Sequence, residues 1–131
     1  MNIIIMNNRA SFLVSFWSVL ISRLREEGHQ VTCLVPAGDS EAETTLKGLG
    51  ANVRNYPLDN KGLNPVHDLK TCFALYKVFH EERADILYAS TIKSVIYGIP
   101  MAALAGIRSR YAMITGLGYM FEANTPAKKM L

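Results

Sequence analysis

Three short polar segments of this sequence carry the side chains best suited to chemistry: Asn7-Asn8-Arg9-Ala10-Ser11, Ala89-Ser90-Thr91-Ile92-Lys93 and Thr115-Gly116-Leu117-Gly118-Tyr119. Together they offer the hydroxyls of Ser11, Ser90, Thr91, Thr115 and Tyr119, the cations Arg9 and Lys93, and the pliable backbone of Gly116 and Gly118. Guanidinium and ammonium groups offset phosphate charge, while hydroxyls and loop amides orient the hydroxyls of a polar ligand. A set of this kind binds and steers. It holds no carboxylate, so no catalytic residue is assigned. Each member also has a plainer reading: Lys93 as a solvated lysine at a helix start, Arg9 as a surface charge, Gly116 and Gly118 as residues that permit a tight turn. His29 reads as a polar cap after a helix stop, Trp17 as core or interface, and His67 and His80 as separate, solvent-facing side chains.

Several other chemistries fail on spacing. Gly116-Leu117-Gly118-Tyr119-Met120-Phe121 starts like a dinucleotide fingerprint but lacks its third glycine and stands near the chain end. There is no phosphate loop, no Gly-x-Ser-x-Gly elbow and no metal-ligand cluster, so neither cofactor nor metal is expected. Glu26, Glu27, Glu41, Glu43, Glu81 and Glu82 read as solvated helix faces. Cys33 and Cys72 lie far apart and read as buried free thiols of a reducing compartment. The formal charge of +3 is compatible with phosphates or an anionic membrane surface, and more simply with solubility. The basic residues are scattered rather than striped, which argues against nucleic acid. Without a leader-like start or an apolar run of about 18 residues, a cytoplasmic chain is expected.

These segments need a scaffold, and the apolar pattern supplies one. Residues 3–6, 31–35, 51–56, 86–88 and 111–114 read as strands, the continuous run Ile3-Ile4-Ile5-Met6 being the mark of a parallel strand buried on both faces. Between them, helices are expected over about 11–27, from Asp39 and Ser40 to Gly48, over 65–82 and over about 94–105. Leu13, Phe16, Trp17, Leu20, Ile21 and Leu24 form the apolar stripe of the first, which Gly28 stops. Ser40 and Glu43 have capping-box spacing at the second. Asn64-Pro65 opens the third, whose stripe reads as Val66, Leu69, Phe73, Tyr76 and Phe79. Pro100 should kink the fourth or delay its start. Thr125-Pro126 opens a further helix that the remaining residues do not complete, as though the chain were truncated.

Alternating strands and helices at this length imply one α/β domain, a Rossmann-like three-layer sandwich whose five-stranded parallel sheet runs 3-2-1-4-5. Ligands of such sheets sit beyond the carboxyl ends of the strands where the winding reverses, here between strands one and four. That edge gathers the three polar segments, with Lys61-Gly62-Leu63-Asn64 as an outer rim.

Ser11-Phe12-Leu13 through Leu24, followed by Gly28-His29-Gln30-Val31, resembles the first strand–helix unit of bacterial family 4 glycosyltransferases. Gly62-Leu63-Asn64-Pro65 with Asp68-Leu69, Thr91-Ile92-Lys93 with Tyr97-Gly98, Ala105-Gly106-Ile107, and Thr115 through Phe121 are similar to segments of the branch that builds capsule, O-antigen and lipid-linked glycan precursors. The resemblance spans essentially the whole chain. It implies that residues 1–131 are the acceptor-side N-terminal domain of a two-domain GT-B enzyme, with the C-terminal half that grips the nucleotide-sugar donor absent. It further implies retaining, metal-independent transfer of a hexose or N-acetylhexosamine to a lipid-linked or saccharide acceptor, and an isolated domain that is inactive. Arg9, Ser11, Ser90, Thr91, Lys93, Thr115, Gly116, Gly118 and Tyr119 would then line the acceptor cleft. Peripheral association with the inner membrane surface and self-association of the fragment are compatible with this reading. The sequence departs from the branch at Trp17, where arginine is common, at Ala89-Ser90, where a histidine is common, and at Ser94, where proline is frequent. A free-standing α/β binding or regulatory module is the alternative, although Asn7-Asn8-Arg9 lacks the acidic pocket such modules usually carry.

Overall fold

The computed structural model describes residues 1–58 and 65–114. Strands β1 (Asn2–Met6), β2 (Gln30–Val35), β3 (Asn52–Asn55), β4 (Ile86–Ser90) and β5 (Ser109–Met113) alternate with helices α1 (Ala10–Glu26), α2 (Ser40–Gly48), α3 (Pro65–Glu82) and α4 (Ile92–Leu104). The sheet is parallel throughout and ordered β3-β2-β1-β4-β5, as the alternation requires. Side chains of β1 point alternately to two cores. Ile3 and Ile5 meet Leu13 and Ile21 of α1 and Ala42 and Leu46 of α2. Ile4 and Met6 meet Leu75, Val78 and Phe79 of α3 and Ala102 of α4. Three layers result.

Two glycines shape this packing. Gly28, at φ 92, ends α1 in a left-handed residue, with Gly28 N–H donating to Arg25 O and His29 N–H to Leu24 O, both at 3.0 Å. Gly98 lets α4 lie close on the sheet, since a Cβ there would come within 2.7 Å of Met6 Sδ.

The structure corrects several local expectations. Residue 39, not 40, caps α2: the Asp39 carboxylate accepts from Ala42 N–H at 3.1 Å, and Glu43 instead accepts from Asn55 Nδ2. The expected capping box stood one residue too late, behind the stronger anionic acceptor. Helix α4 begins at Ile92 and runs through Pro100, which sits on its exposed side. In α1, Leu13 and Ile21 are buried and Trp17 packs edge-on to Tyr88, but Phe16 is 73% exposed. The largest correction concerns α3. Its inward face is Thr71, Leu75, Val78 and Phe79, while Val66, Leu69, Phe73 and Tyr76 are exposed. Both stripes have helical spacing; Thr71 goes inside because its hydroxyl donates to Pro57 O at 2.7 Å. His67 is half-buried rather than solvent-facing, and His80 is exposed, stacked against Tyr76. Cys33 is buried, which pushes its thiol up to about 12, whereas Cys72 is only half-buried. Glu81 and Glu82 are not merely solvated, for both bind Arg54, at 2.8 and 2.6 Å.

No helix among the described residues is long and apolar enough to cross a membrane. The rim segment 61–64, the Asn64 cap and the helix start at 125 lie outside the described residues.

Candidate functional site

Because β1 and β4 are neighbours, with Met6 opposite Ala89, the segments that follow them emerge side by side on the carboxyl edge. The chain leaves β1 into α1 on one face of the sheet and leaves β4 into α4 on the other. Arg9 and Ser11 therefore stand at the start of one helix, and Thr91 and Lys93 at the start of its opposite-face counterpart. Ser90 closes β4 between them. Five of the nine candidate residues are thus brought to one edge by the topology. The other four, Thr115, Gly116, Gly118 and Tyr119, lie outside the described residues.

A buried hydrogen-bond network holds this edge together. Asn7 Nδ2 donates to Ser90 Oγ at 2.8 Å, and Ser90 Oγ donates to Met6 O at 3.2 Å. Asn7 Oδ1 accepts from the Arg9 amide at 2.9 Å, and the Asn7 carbonyl accepts from the Tyr56 hydroxyl at 3.1 Å. Close by, the Ser94 hydroxyl accepts from Thr91 Oγ1 at 3.2 Å. Asn7, Tyr56, Ser90, Thr91 and Ser94 are all buried. Burial pushes the Tyr56 phenol up to about 12, with the nearby Ser94 hydroxyl acting against that rise. Ser90 accordingly does not present its hydroxyl to a ligand: it is fully enclosed, and its oxygen is committed to Asn7 and Met6.

The accessible groups are the cations and the helix starts. Arg9 is exposed, its guanidinium 6.0 Å from the centre of the Phe12 ring, and Ser11 is exposed beside it. Lys93 is half-buried in the first turn of α4. Neither α1 nor α4 has a side-chain cap, in contrast to α2 with its Asp39. First-turn amides and the positive end of a helix dipole, beside a cation, are suited to an anionic group. The edge continues past β2 and β3 as an open cleft of about 480 Å³ between Pro36, Asn55, Tyr56, Leu58 and His67. Sequence reasoning did not find this cleft or the part played by Tyr56. The available signal was a tyrosine at the end of a weak strand, since a buried phenol needs a partner for its hydroxyl. Among the described residues no group of three or more His, Cys, Asp or Glu side chains comes together to hold a metal ion.

The family model described as a glycosyl transferase 4-like domain matches residues 15–129. Among curated proteins, the chain is 30% identical over 121 residues to the N,N'-diacetylbacillosaminyl-diphospho-undecaprenol alpha-1,3-N-acetylgalactosaminyltransferase of Campylobacter jejuni, covering 92% of this chain and 32% of that protein. Among solved structures, MurG of Acinetobacter baumannii is similar with a TM-score of 0.63 at 19% identity, over 85% of this chain and 33% of that one. A glycosyltransferase of Rickettsia africae gives a TM-score of 0.65 at 11% identity, over 97% of this chain and 34% of that one. At such identities the structural likeness speaks for the fold alone. The chain spans about a third of the length of each of these three proteins.

Proposed function

Since this chain belongs to the glycosyl transferase 4-like domain family, we propose that it is the acceptor-side half of an enzyme that moves a hexose or N-acetylhexosamine from a nucleotide-sugar donor to a lipid-linked or saccharide acceptor. The observation that carries this reading is the pairing, on one sheet edge, of two helix starts without side-chain caps, each bearing a cation, Arg9 and Lys93. Arg9, Lys93 and the first-turn amides hold an anionic acceptor, such as a lipid diphosphate, by charge and hydrogen bonding. Ser11 orients sugar hydroxyls. Thr115, Gly116, Gly118 and Tyr119 complete the wall in this reading. Nucleotide-sugar binding falls mainly to sequence beyond this domain, consistent with the chain's 32% share of its Campylobacter relative. The transfer proceeds with retention and without a metal, the departing diphosphate being stabilised by positive groups and helix dipoles. In a front-face reaction the donor phosphate itself accepts the acceptor proton, so no carboxylate of this half is required.

The test is a transfer assay with the full-length protein across a panel of sugar nucleotides and lipid-diphosphate-linked acceptors. Turnover with at least one pair supports the reading. Arg9→Ala with Lys93→Ala should then raise the acceptor KM at least tenfold and leave the donor KM within about twofold. Equal effects on both substrates would move the acceptor elsewhere.

The reading extends to the surface of a membrane. Val66, Leu69 and Phe73 form an exposed apolar stripe along α3, with Lys70 and Lys77 on the same helix. Such a face suits peripheral docking to anionic lipid, which would bring a lipid-linked acceptor to the cleft. A separate apolar groove of about 320 Å³, between Leu20, Leu24, Tyr88 and Tyr111, suits self-association of the isolated domain.

A further inference from the structure

The turn between β4 and α4 places a threonine where the backbone ordinarily demands glycine. Thr91 has φ 79 and ψ 153, a region that a branched Cβ strongly disfavours. Its backbone is pinned on both sides. The Thr91 amide continues the sheet ladder by donating to Met113 O at 3.1 Å, and its carbonyl accepts the first bond of α4 from Val95 N–H at 3.0 Å. Its side chain does not cap the helix; instead Oγ1 donates to Ser94 Oγ, while the preceding residue, Ser90, accepts from Asn7 Nδ2, and Asn7 Oδ1 accepts from the Arg9 amide, a buried path from one turn to the other. Each end of that path is a turn that carries a cation.

The geometry points to Thr91 as a positioning residue, whose strained backbone, held by its bond to Ser94 and by the adjoining Ser90–Asn7 pair, fixes the Lys93 turn relative to the Arg9 turn. Glycine at this position would satisfy the same backbone angles without strain and would remove the side-chain bond to Ser94 that steadies the turn. Thr91 thereby holds the two cations ready for one anionic ligand before it arrives, which lowers the ordering cost of binding. This inference rests on the acceptor reading given above for the purpose of the device, while the device itself stands on the hydrogen bonds.

The experiment compares Thr91→Gly, Thr91→Ser and the unsubstituted chain. Thr91→Gly should unfold at the same or a higher temperature because strain is removed. Its Arg9 amide should exchange with solvent at least tenfold faster, while Ile4 and Leu87 in the sheet centre keep their rates. In the full-length protein, Thr91→Gly should raise the acceptor KM about tenfold with kcat within twofold. Thr91→Ser, which keeps the hydroxyl, should restore both exchange rates and KM. A fall in Tm of more than about five degrees in Thr91→Gly, or unchanged exchange at Arg9, overturns the inference. Failure of the transfer reading shows itself differently: no turnover by the unsubstituted full-length protein, with the exchange coupling between Thr91 and Arg9 intact.

Discussion

Asn7, just past the end of β1, donates a 2.8 Å hydrogen bond to Ser90, the last residue of β4, across 83 positions of sequence. The bond ties together the two strands between which the winding of the sheet reverses. Asn7 is 2% exposed and uses both ends of its amide, since Oδ1 also accepts from the Arg9 N–H. Asn7→Ala removes both bonds and leaves buried groups with fewer partners, at a cost of about 1–3 kcal/mol per unsatisfied group. The expected loss is roughly 2–3 kcal/mol in urea unfolding, with an unchanged m-value. A loss below about 0.5 kcal/mol would place the stabilisation of this edge elsewhere.

Tyr56 offers an independent view of the same network. Tyr56→Phe keeps the ring in the core and deletes only the hydroxyl that donates to Asn7 O. One such bond contributes about 1 kcal/mol, and the abandoned carbonyl adds to the cost, so a loss of about 1–2 kcal/mol at pH 7 is expected. The pH dependence has a definite sign. The folded phenol titrates at about 12, above its ordinary 10.0, because burial disfavours the phenolate. Its contribution is therefore complete below pH 10.0 and lost as pH rises through about 12. The advantage of the unsubstituted chain over Tyr56→Phe, measured by denaturant titration, should shrink across that window. A constant difference would mean that Tyr56 is already open to solvent.

At the other end of the sheet, Arg54 of β3 bridges Glu81 and Glu82 of α3, and Glu82 also accepts from Thr32 Oγ1 at 3.1 Å. The Arg54 guanidinium holds the Glu81 carboxyl below its ordinary 4.5. A depressed carboxyl stabilises the fold above its unfolded value, and that contribution is lost as pH falls through the lower folded value. Thermal melts between pH 7 and pH 3 should show the unsubstituted chain losing stability faster below pH 4.5 than Arg54→Met. Parallel curves would show that the ion pairs contribute nothing measurable, the ordinary fate of exposed pairs.

The sheet order and the gathering of Arg9, Ser11, Ser90, Thr91 and Lys93 on one edge were legible in the sequence because they follow from chain order. Apolar runs separated by helical spacing leave few topologies, and the reversal point follows from them. Which groups on that edge face a ligand was not legible. Ser90 and Lys93 both looked polar and available, yet Ser90 is sealed by Asn7, a partner that only the folded chain brings near. Tyr56 joined the site through a bond to a backbone carbonyl, which leaves no pattern in the sequence. Helix α3 shows the limit of periodicity most directly. It carries two apolar stripes, and spacing alone does not say which one meets the sheet.

That second stripe yields a prediction in which stability and binding separate. Leu69 and Phe73 are 64% and 72% exposed, so Leu69→Glu with Phe73→Glu should change unfolding stability by no more than about 0.5 kcal/mol per site. Leu75→Ala, on the buried face of the same helix, should cost about 2–5 kcal/mol. If the exposed stripe docks to a bilayer, each apolar side chain contributes up to about 1.5–3 kcal/mol on leaving water. The double glutamate variant should then lose at least tenfold in co-sedimentation with vesicles containing anionic lipid. Lys70 and Lys77 make the attraction electrostatic as well, so binding of the unsubstituted chain should fall as salt rises and vanish on vesicles of neutral lipid alone. Light scattering on the same samples separates the competing outcome. A dimer that the double variant disrupts, together with unchanged vesicle binding, would assign the stripe to a second copy of the chain and remove the membrane from the proposal.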